Sequence, residues 1–193
     1  MNLTWKIAGV RNGTLAAGLL DSYEQERKPH TRQLIRLALN VGRSMTGGGH
    51  LGNVARRLVL PRLRLLPGLR DRVVDSTTPA LRSSALVHKS RRPGELAGTL
   101  CPNPSLPGGQ RLDDVVGAGF AFITTGPLAG ADEALLRRRG VATLVADRDT
   151  ELEKWLGRAH VAAAVVRPDR TVMRAGRDPA ALCAWTATVL HDR

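Results

Sequence analysis

The feature that most restricts the fold of this chain is the order of its apolar runs between residues 119 and 190. Gly119-Phe120-Ala121-Phe122-Ile123-Thr124-Thr125 is an apolar run closed by Gly126-Pro127, the pattern of a buried strand. Residues 132–139 then read as a short helix ending at Gly140, a position past the helix end where a left-handed backbone costs glycine little. Val141-Ala142-Thr143-Leu144-Val145 predicts a second buried strand, and a helical turn covers 151–156. The runs 161–166 and 170–173 flank Pro168-Asp169, which predicts an antiparallel hairpin with proline at the first corner of the turn. Asp178-Pro179 caps and opens a last helix, whose apolar positions are Leu182, Trp185, Val189 and Leu190.

A β-α-β unit followed by a β-β-α unit is the order of the thioredoxin fold, so an α/β class with a thioredoxin-like domain over 99–193 is expected. Upstream, residues 1–46 read as helical. Leu3, Ile7 and Val10 recur at helical spacing beside Trp5, and Asn12-Gly13 ends the pattern. Asp21 is placed to cap a second helix, with Glu24 at the capping-box position. That helix carries Leu34, Leu37, Ala38, Val41 and Met45 on one side, and Pro29 predicts a kink or a fresh start within it. Glu24, Glu26, Arg27 and Lys28 read as exposed charge pairs. Residues 47–98 read as a connector. Leu51, Val54, Leu58, Leu63, Leu65, Leu66, Leu69 and Val73 suggest short helical pieces broken by Pro61 and Pro67, and 75–98 has linker composition.

The 193 residues carry a net charge of +12, which raises nucleic acid as a partner. Its distribution argues against one. Lysine stands only at Lys6, Lys28, Lys89 and Lys154, and the arginines run from Arg11 to Arg193 without one dominant block. The densest zone, Arg56-Arg57, Arg62, Arg64, Arg70 and Arg72, lies in an apolar-periodic stretch, and Tyr23, Phe120 and Phe122 form no row for base stacking. No apolar run approaches the roughly 20 residues of a spanning helix, and no secretory signal pattern opens the chain, so a cytoplasmic protein without a membrane partner is expected. Cys101 and Cys183 form no C-x-x-C pair and no zinc pattern. His50 and His88 stand alone and read as surface histidines. No G-x-G-x-x-G occurs, and Gly47-Gly48-Gly49 with Gly52 follows a helical pattern, so it reads as a flexible connector and not a phosphate loop.

Asn2-Leu3-Thr4-Trp5-Lys6-Ile7-Ala8, followed by Asp21-Ser22-Tyr23-Glu24-Gln25-Glu26-Arg27-Lys28-Pro29-His30, resembles the segment after the last flavin-contacting loop of FAD-dependent aromatic hydroxylases. Gly98-Thr99-Leu100-Cys101-Pro102-Asn103-Pro104, Gly109-Gln110-Arg111-Leu112-Asp113-Asp114 and Val165-Val166-Arg167-Pro168-Asp169-Arg170 are similar to the C-terminal thioredoxin-like domain of the phenol hydroxylase and 3-(3-hydroxyphenyl)propionate hydroxylase type. The resemblance implies a division into 1–46 from the end of the FAD/substrate domain, 47–98 as connector, and 99–193 as the C-terminal domain. It also implies the family's chemistry, in which NAD(P)H reduces FAD and the reduced flavin transfers oxygen to a phenolic ring. Thr124-Thr125-Gly126-Pro127 stands where a redox dithiol would be, so that domain is expected to be structural. Tyr23, Glu26 and Arg27 are expected in packing and interdomain hydrogen bonds.

The family's nucleotide-binding motifs have no counterpart here, so no catalytic, cofactor-binding or metal-binding residue is assigned. Two readings stay open. One is the C-terminal part of an FAD-dependent, NAD(P)H-using monooxygenase, inactive without its front, with the missing flavin-domain portion or a second copy of itself as partner and a phenolic small molecule as substrate of the whole enzyme. The other is a stand-alone, non-catalytic thioredoxin-like interaction module. On the first, Trp5, Ile7, Leu34 and Val41 are expected to form an exposed apolar patch.

Overall fold

The computed structural model describes residues 2–46, 79–90 and 95–191. The helical pieces expected within 51–73, the glycine cluster at 47–52, His50 and the densest arginine zone lie outside these. The chain divides into two compact units, Met1–Arg27 with Ala80–Arg193, and Lys28–Pro79.

The first unit is built on a mixed four-stranded sheet: β1 (Phe120–Thr124), β2 (Val141–Val145), β3 (Ala163–Val166) and β4 (Val172–Gly176), in the order β2-β1-β3-β4. β1 pairs parallel with β2 and antiparallel with β3, and β3 pairs antiparallel with β4 across the Pro168-Asp169 turn. The turn closes through Arg170 N donating to Arg167 O at 2.9 Å, with Pro168 at its first corner as expected. Its helices are α1 (Asn2–Arg11), the start of α2 (Ser22–Thr46), α3 (Leu112–Val116), α4 (Gly130–Arg138), α5 (Glu151–Arg158) and α6 (Pro179–Val189).

Strand alternation sorts the core into two faces. Phe120, Phe122, Ala163 and Val165 join Leu136 of α4 and Leu182 of α6 in one cluster, with Trp5 packed against it. Ala121, Ile123, Ala164 and Val166 join Leu112 and Val116 of α3 and Leu152 and Leu156 of α5 in the other. With helices on both faces, β1 and β3 are buried at every position. β2 was expected to be buried too. It lies at the sheet's end instead, and Val145 is 49% exposed, because one strand alone pairs with it.

Local chemistry explains most helix ends. Thr150 accepts from Glu153 N and starts α5, Asp178 accepts from Ala181 N and starts α6 with proline behind it, and Gly140 takes φ 67° just past α4. Two expectations near the N-terminus change. Asp21 does not open α2; it ends a 3-10 helix (Ala17–Asp21), and α2 runs on from Ser22 as one helix that includes Pro29. The apolar spacing of α1 does not mark its buried side either. Leu3 and Ile7 are 38% and 51% exposed, while Lys6 is fully buried.

Residues 80–90 and 95–101 line the β4 side of the sheet. His88 N donates to Met173 O at 2.8 Å, Gly98 N to Val172 O at 2.8 Å and Cys101 N to Arg170 O at 2.8 Å, while Leu86, Val87 and Ala97 are fully buried. Gly98 has φ 85°, and a Cβ there would sit 2.5 Å from Leu81 O, so glycine is required on two counts. These residues carry linker composition, yet their amides complete the edge of β4. No helix among the described residues is long and apolar enough to cross a membrane.

In the second unit, residues 28–46 belong to α2. Leu34, Ile35, Leu37 and Leu39 are 38%, 53%, 47% and 51% exposed.

Candidate functional site

Four charged side chains meet inside the first unit, two from the N-terminal helices and two from the β3–β4 turn. Lys6 on α1 lies 3.1 Å from Glu26 on α2, and Arg167 lies 2.8 Å from the other oxygen of Glu26. Arg167 also grips Asp169 with both edges of its fork, Nε to Oδ1 at 3.0 Å and Nη2 to Oδ2 at 2.7 Å. Lys6, Glu26 and Arg167 have no exposed side-chain surface and Asp169 has 8%.

Burying charge costs several kcal/mol per ion unless pairing and hydrogen bonds compensate. Here they do. Ser84 donates to Glu26 Oε1 at 2.7 Å, Lys6 donates to Ser22 Oγ at 2.8 Å, and Ser22 in turn donates to Leu19 O. Asn2 Nδ2 donates to Asp169 Oδ2 at 2.8 Å and to Glu26 Oε2 at 3.2 Å, and Thr171 N donates to Asp169 Oδ1 at 3.1 Å. Two positive and two negative groups leave the cluster neutral. The Trp5 ring lies within 5.3 Å of the Arg167 guanidinium and 5.7 Å of the Lys6 ammonium, and its edge meets Phe120.

The electrostatics follow from this packing. Burial alone would raise the Glu26 pKa, but the charge and hydrogen bond of Arg167 outweigh it and hold the carboxyl below its ordinary value. Asp169 follows the same pattern, with burial opposed by the Arg167 fork. Burial lowers the Lys6 pKa, and the attraction of Glu26 recovers it only in part. Arg167 is lifted above its ordinary value because Asp169 and Glu26 overcome its burial. Short ion pairs and hydrogen bonds thus cross-link all four groups, an arrangement suited to fixing elements.

Glu26 was expected in exposed pairs with its neighbours in sequence. It is instead the hub of this cluster, because its partner Arg167 stands 141 residues away. Of Tyr23, Glu26 and Arg27, all expected in packing and interdomain hydrogen bonds, Glu26 makes long-range hydrogen bonds within the first unit, whereas Tyr23 is 37% exposed and Arg27 is partly buried.

The motifs of the C-terminal region also converge. Asn103 and Asp113 exchange two hydrogen bonds of 2.9 Å, Asp113 pairs with Arg170, and Arg170 donates to Gly117 O at 2.6 Å. Cys101 and Cys183 are buried free thiols, pushed by burial up to about 12 and about 11 respectively. A thiol so shifted carries almost no thiolate at neutral pH. Past β1, Thr124 Oγ1 donates to Gly126 O at 3.0 Å and Thr125 N to Ala162 O at 2.9 Å, so both residues serve the backbone.

A broad cavity of about 910 Å³ shares no residue with the charge cluster; it is lined by His88, Lys89, Glu95, His160, Arg174 and Arg177 among others. Its His88 and Arg174 pack on Trp185, at 4.9 Å and 5.1 Å between ring centres and from Cζ to ring centre. His88 is exposed and its Nε2 lies 3.0 Å from Ala85 O. Among the described residues no group of three or more His, Cys, Asp or Glu is placed to hold a metal ion. A dinucleotide cradle does not fit either. The β1–α4–β2 crossover has Gly126-Pro127 at the turn, where proline removes an amide, and no glycine-rich bend leads into α4.

Two family models match the chain: an FAD binding domain over residues 1–38 and the HcaD C-terminal domain over residues 130–189. A 3-(3-hydroxy-phenyl)propionate/3-hydroxycinnamic acid hydroxylase of Klebsiella pneumoniae is 30% identical over 89% of this chain and 37% of its own length. A protein of the same name from Burkholderia cenocepacia is 29% identical over 96% of this chain and 40% of its own. The chain thus spans less than half the length of these relatives. Among solved structures, aklavinone-11 hydroxylase in a ternary complex with FAD and aklavinone superposes with a TM-score of 0.65 at 22% identity, covering 96% of this chain and 37% of that one. The rebeccamycin biosynthetic enzyme RebC with reduced flavin superposes at 0.64 and 22%, covering 96% and 39%.

Proposed function

We propose, on the premise that this chain is related to the C-terminal portion of FAD-dependent aromatic hydroxylases, that it is the back part of such an enzyme and acts only together with an FAD-binding front. One observation carries the reading: an FAD-binding-domain match at one end and a C-terminal-domain match at the other are joined by the buried pair Glu26–Arg167. The share of each relative left unmatched is the share that would hold the flavin.

On this reading residues 1–46 are the end of the FAD/substrate domain, 47–98 the connector, and 99–193 a thioredoxin-like domain. The strand order β2-β1-β3-β4, with one parallel and two antiparallel pairings, supports that last assignment. The two buried free thiols, their pKa values raised by burial, support a structural task for the domain. The whole enzyme would use FAD and NAD(P)H and hydroxylate a phenolic substrate, in the cytoplasm. Its flavin carries the redox chemistry, while this chain supplies packing and orientation. The exposed Leu34, Ile35, Leu37 and Leu39 of α2 are then the face for the front portion, the partner this reading names.

The test is NAD(P)H oxidation with 3-(3-hydroxyphenyl)propionate and FAD, measured with this chain alone, with a separately produced FAD-binding front of the Klebsiella pneumoniae relative, and with both. Substrate-dependent oxidation only in the mixture is expected. Equal rates with and without this chain would leave the stand-alone interaction module in its place.

A further inference from the structure

The segments matched by two different family models meet in one buried ionic network, and each gives it one acid and one base: Lys6 and Glu26 from the first, Arg167 and Asp169 from the second. We infer that Arg167 and Asp169, at the β3–β4 turn, are positioning residues that fix α1 and the start of α2, so that the C-terminal module orients the end of the FAD-binding module. The clause about the FAD-binding module rests on the function proposed above; the anchoring of α1 does not.

Three observations carry this. The Arg167 fork is used completely, two nitrogens on Asp169 and the third on Glu26, which fixes the plane of the guanidinium and hence both carboxylates. From those carboxylates α1 is held at two points one turn apart, Asn2 through Asp169 and Glu26, and Lys6 through Glu26. Finally, α1 exposes Leu3 and Ile7, so only Trp5 and Val10 of its large apolar side chains pack on the core, and the polar network supplies the rest of the seat. Lys6 with no exposed surface can stay charged there only while the network is complete.

The turn has backbone closure besides the bond from Thr171 N to Asp169 Oδ1, which asparagine at 169 can keep. Arg170 N to Arg167 O and Arg167 N to Thr171 O, both 2.9 Å, close it through the backbone. Loss of Arg167 or Asp169 should therefore be felt in α1 before it is felt in the sheet.

The experiment is amide hydrogen exchange on the full chain, comparing wild type with Asp169→Asn and Arg167→Met, with peptides from α1 and from β1 and β3 read separately. Exchange in α1 is expected to rise about tenfold or more in both variants while β1 and β3 keep their protection. If Arg167→Met does not fold, the volume-conserving Asp169→Asn decides. Unchanged exchange in α1 of a folded Asp169→Asn chain overturns the anchoring. A second arm titrates FAD into each chain mixed with the front portion of the Klebsiella pneumoniae relative, following flavin fluorescence. Wild type should bind and Asp169→Asn should bind about tenfold more weakly, a shift of about 1.4 kcal/mol. Equal FAD affinity overturns the orienting role. A wild-type mixture that binds no FAD removes the proposed function and the orienting clause with it, and leaves α1 exchange to decide the anchoring.

Discussion

β1 and the middle of α2 carry similar loads of large apolar side chains and dispose of them in opposite ways. Phe120, Phe122 and Ile123 are at most 8% exposed, covered by helices on both faces of the sheet, whereas Leu34, Ile35, Leu37 and Leu39 are 38% to 53% exposed. Burial of such side chains is worth about 1.5–3 kcal/mol each. The sheet thus gains its stability within this chain, while these side chains of α2 stay exposed; on the function proposed above, the corresponding gain is left for the FAD-binding front. The charge cluster adds a third lesson. It lies where the N-terminal helices reach the sheet, and there ions with matched partners replace the apolar contacts that Leu3 and Ile7 do not make.

The largest expected effects fall on the closed region. Glu26→Ala strands Lys6 and Arg167 without their shared carboxylate and should cost about 3–5 kcal/mol in denaturant unfolding; a loss under 1 kcal/mol would mean the cluster is open to water. Phe122→Ala, in the middle of β1, should cost about 3–5 kcal/mol by the same measurement. Acid should reproduce part of the Glu26 effect. Glu26 and Asp169 have folded pKa values below their unfolded ones, so their stabilisation is fully present above the unfolded carboxylate range and is lost as pH falls through the folded values. Thermal midpoints should stay level from neutrality down to about pH 5 and then fall, more steeply in wild type than in Asp169→Asn; equal slopes would exclude Asp169 from that loss. Gly98→Ala should destabilise by more than about 1 kcal/mol, through a strained φ and the approach to Leu81 O. The smallest effect belongs to α2. Ile35→Ala should change the stability of the isolated chain by no more than about 0.5 kcal/mol, yet weaken its association with an FAD-binding front. A large loss in the isolated chain would show that α2 is already closed.

What could be read in the sequence was whatever is local. Phe120–Ile123 is apolar at every position, Asp178-Pro179 and Gly140 mark helix ends by their own backbone preferences, and Pro168 sets its turn. Residues 80–90 and 95–98 read as linker because their order comes largely from backbone bonds to β4, which most side chains permit, Gly98 being the exception. β2 looked like β1 in sequence, since an edge strand differs from a central one only in its neighbours. The cluster was half legible. Glu26 was marked for interdomain hydrogen bonds and the Arg167-Pro168-Asp169 motif was noticed, but charged residues on a helix read as solvated until a partner arrives from far along the chain. One signal was available: Lys6 stands in the middle of α1 between Trp5 and Ile7.

Flavin fluorescence during titration of FAD with this chain, first alone and then with the FAD-binding front of a relative, tests most directly whether the molecule is the back part of a flavoprotein. No change alone and saturable quenching in the mixture, beyond that given by the front alone, is the predicted result. Binding by the chain alone, or a front whose FAD affinity is the same with and without it, would contradict that claim.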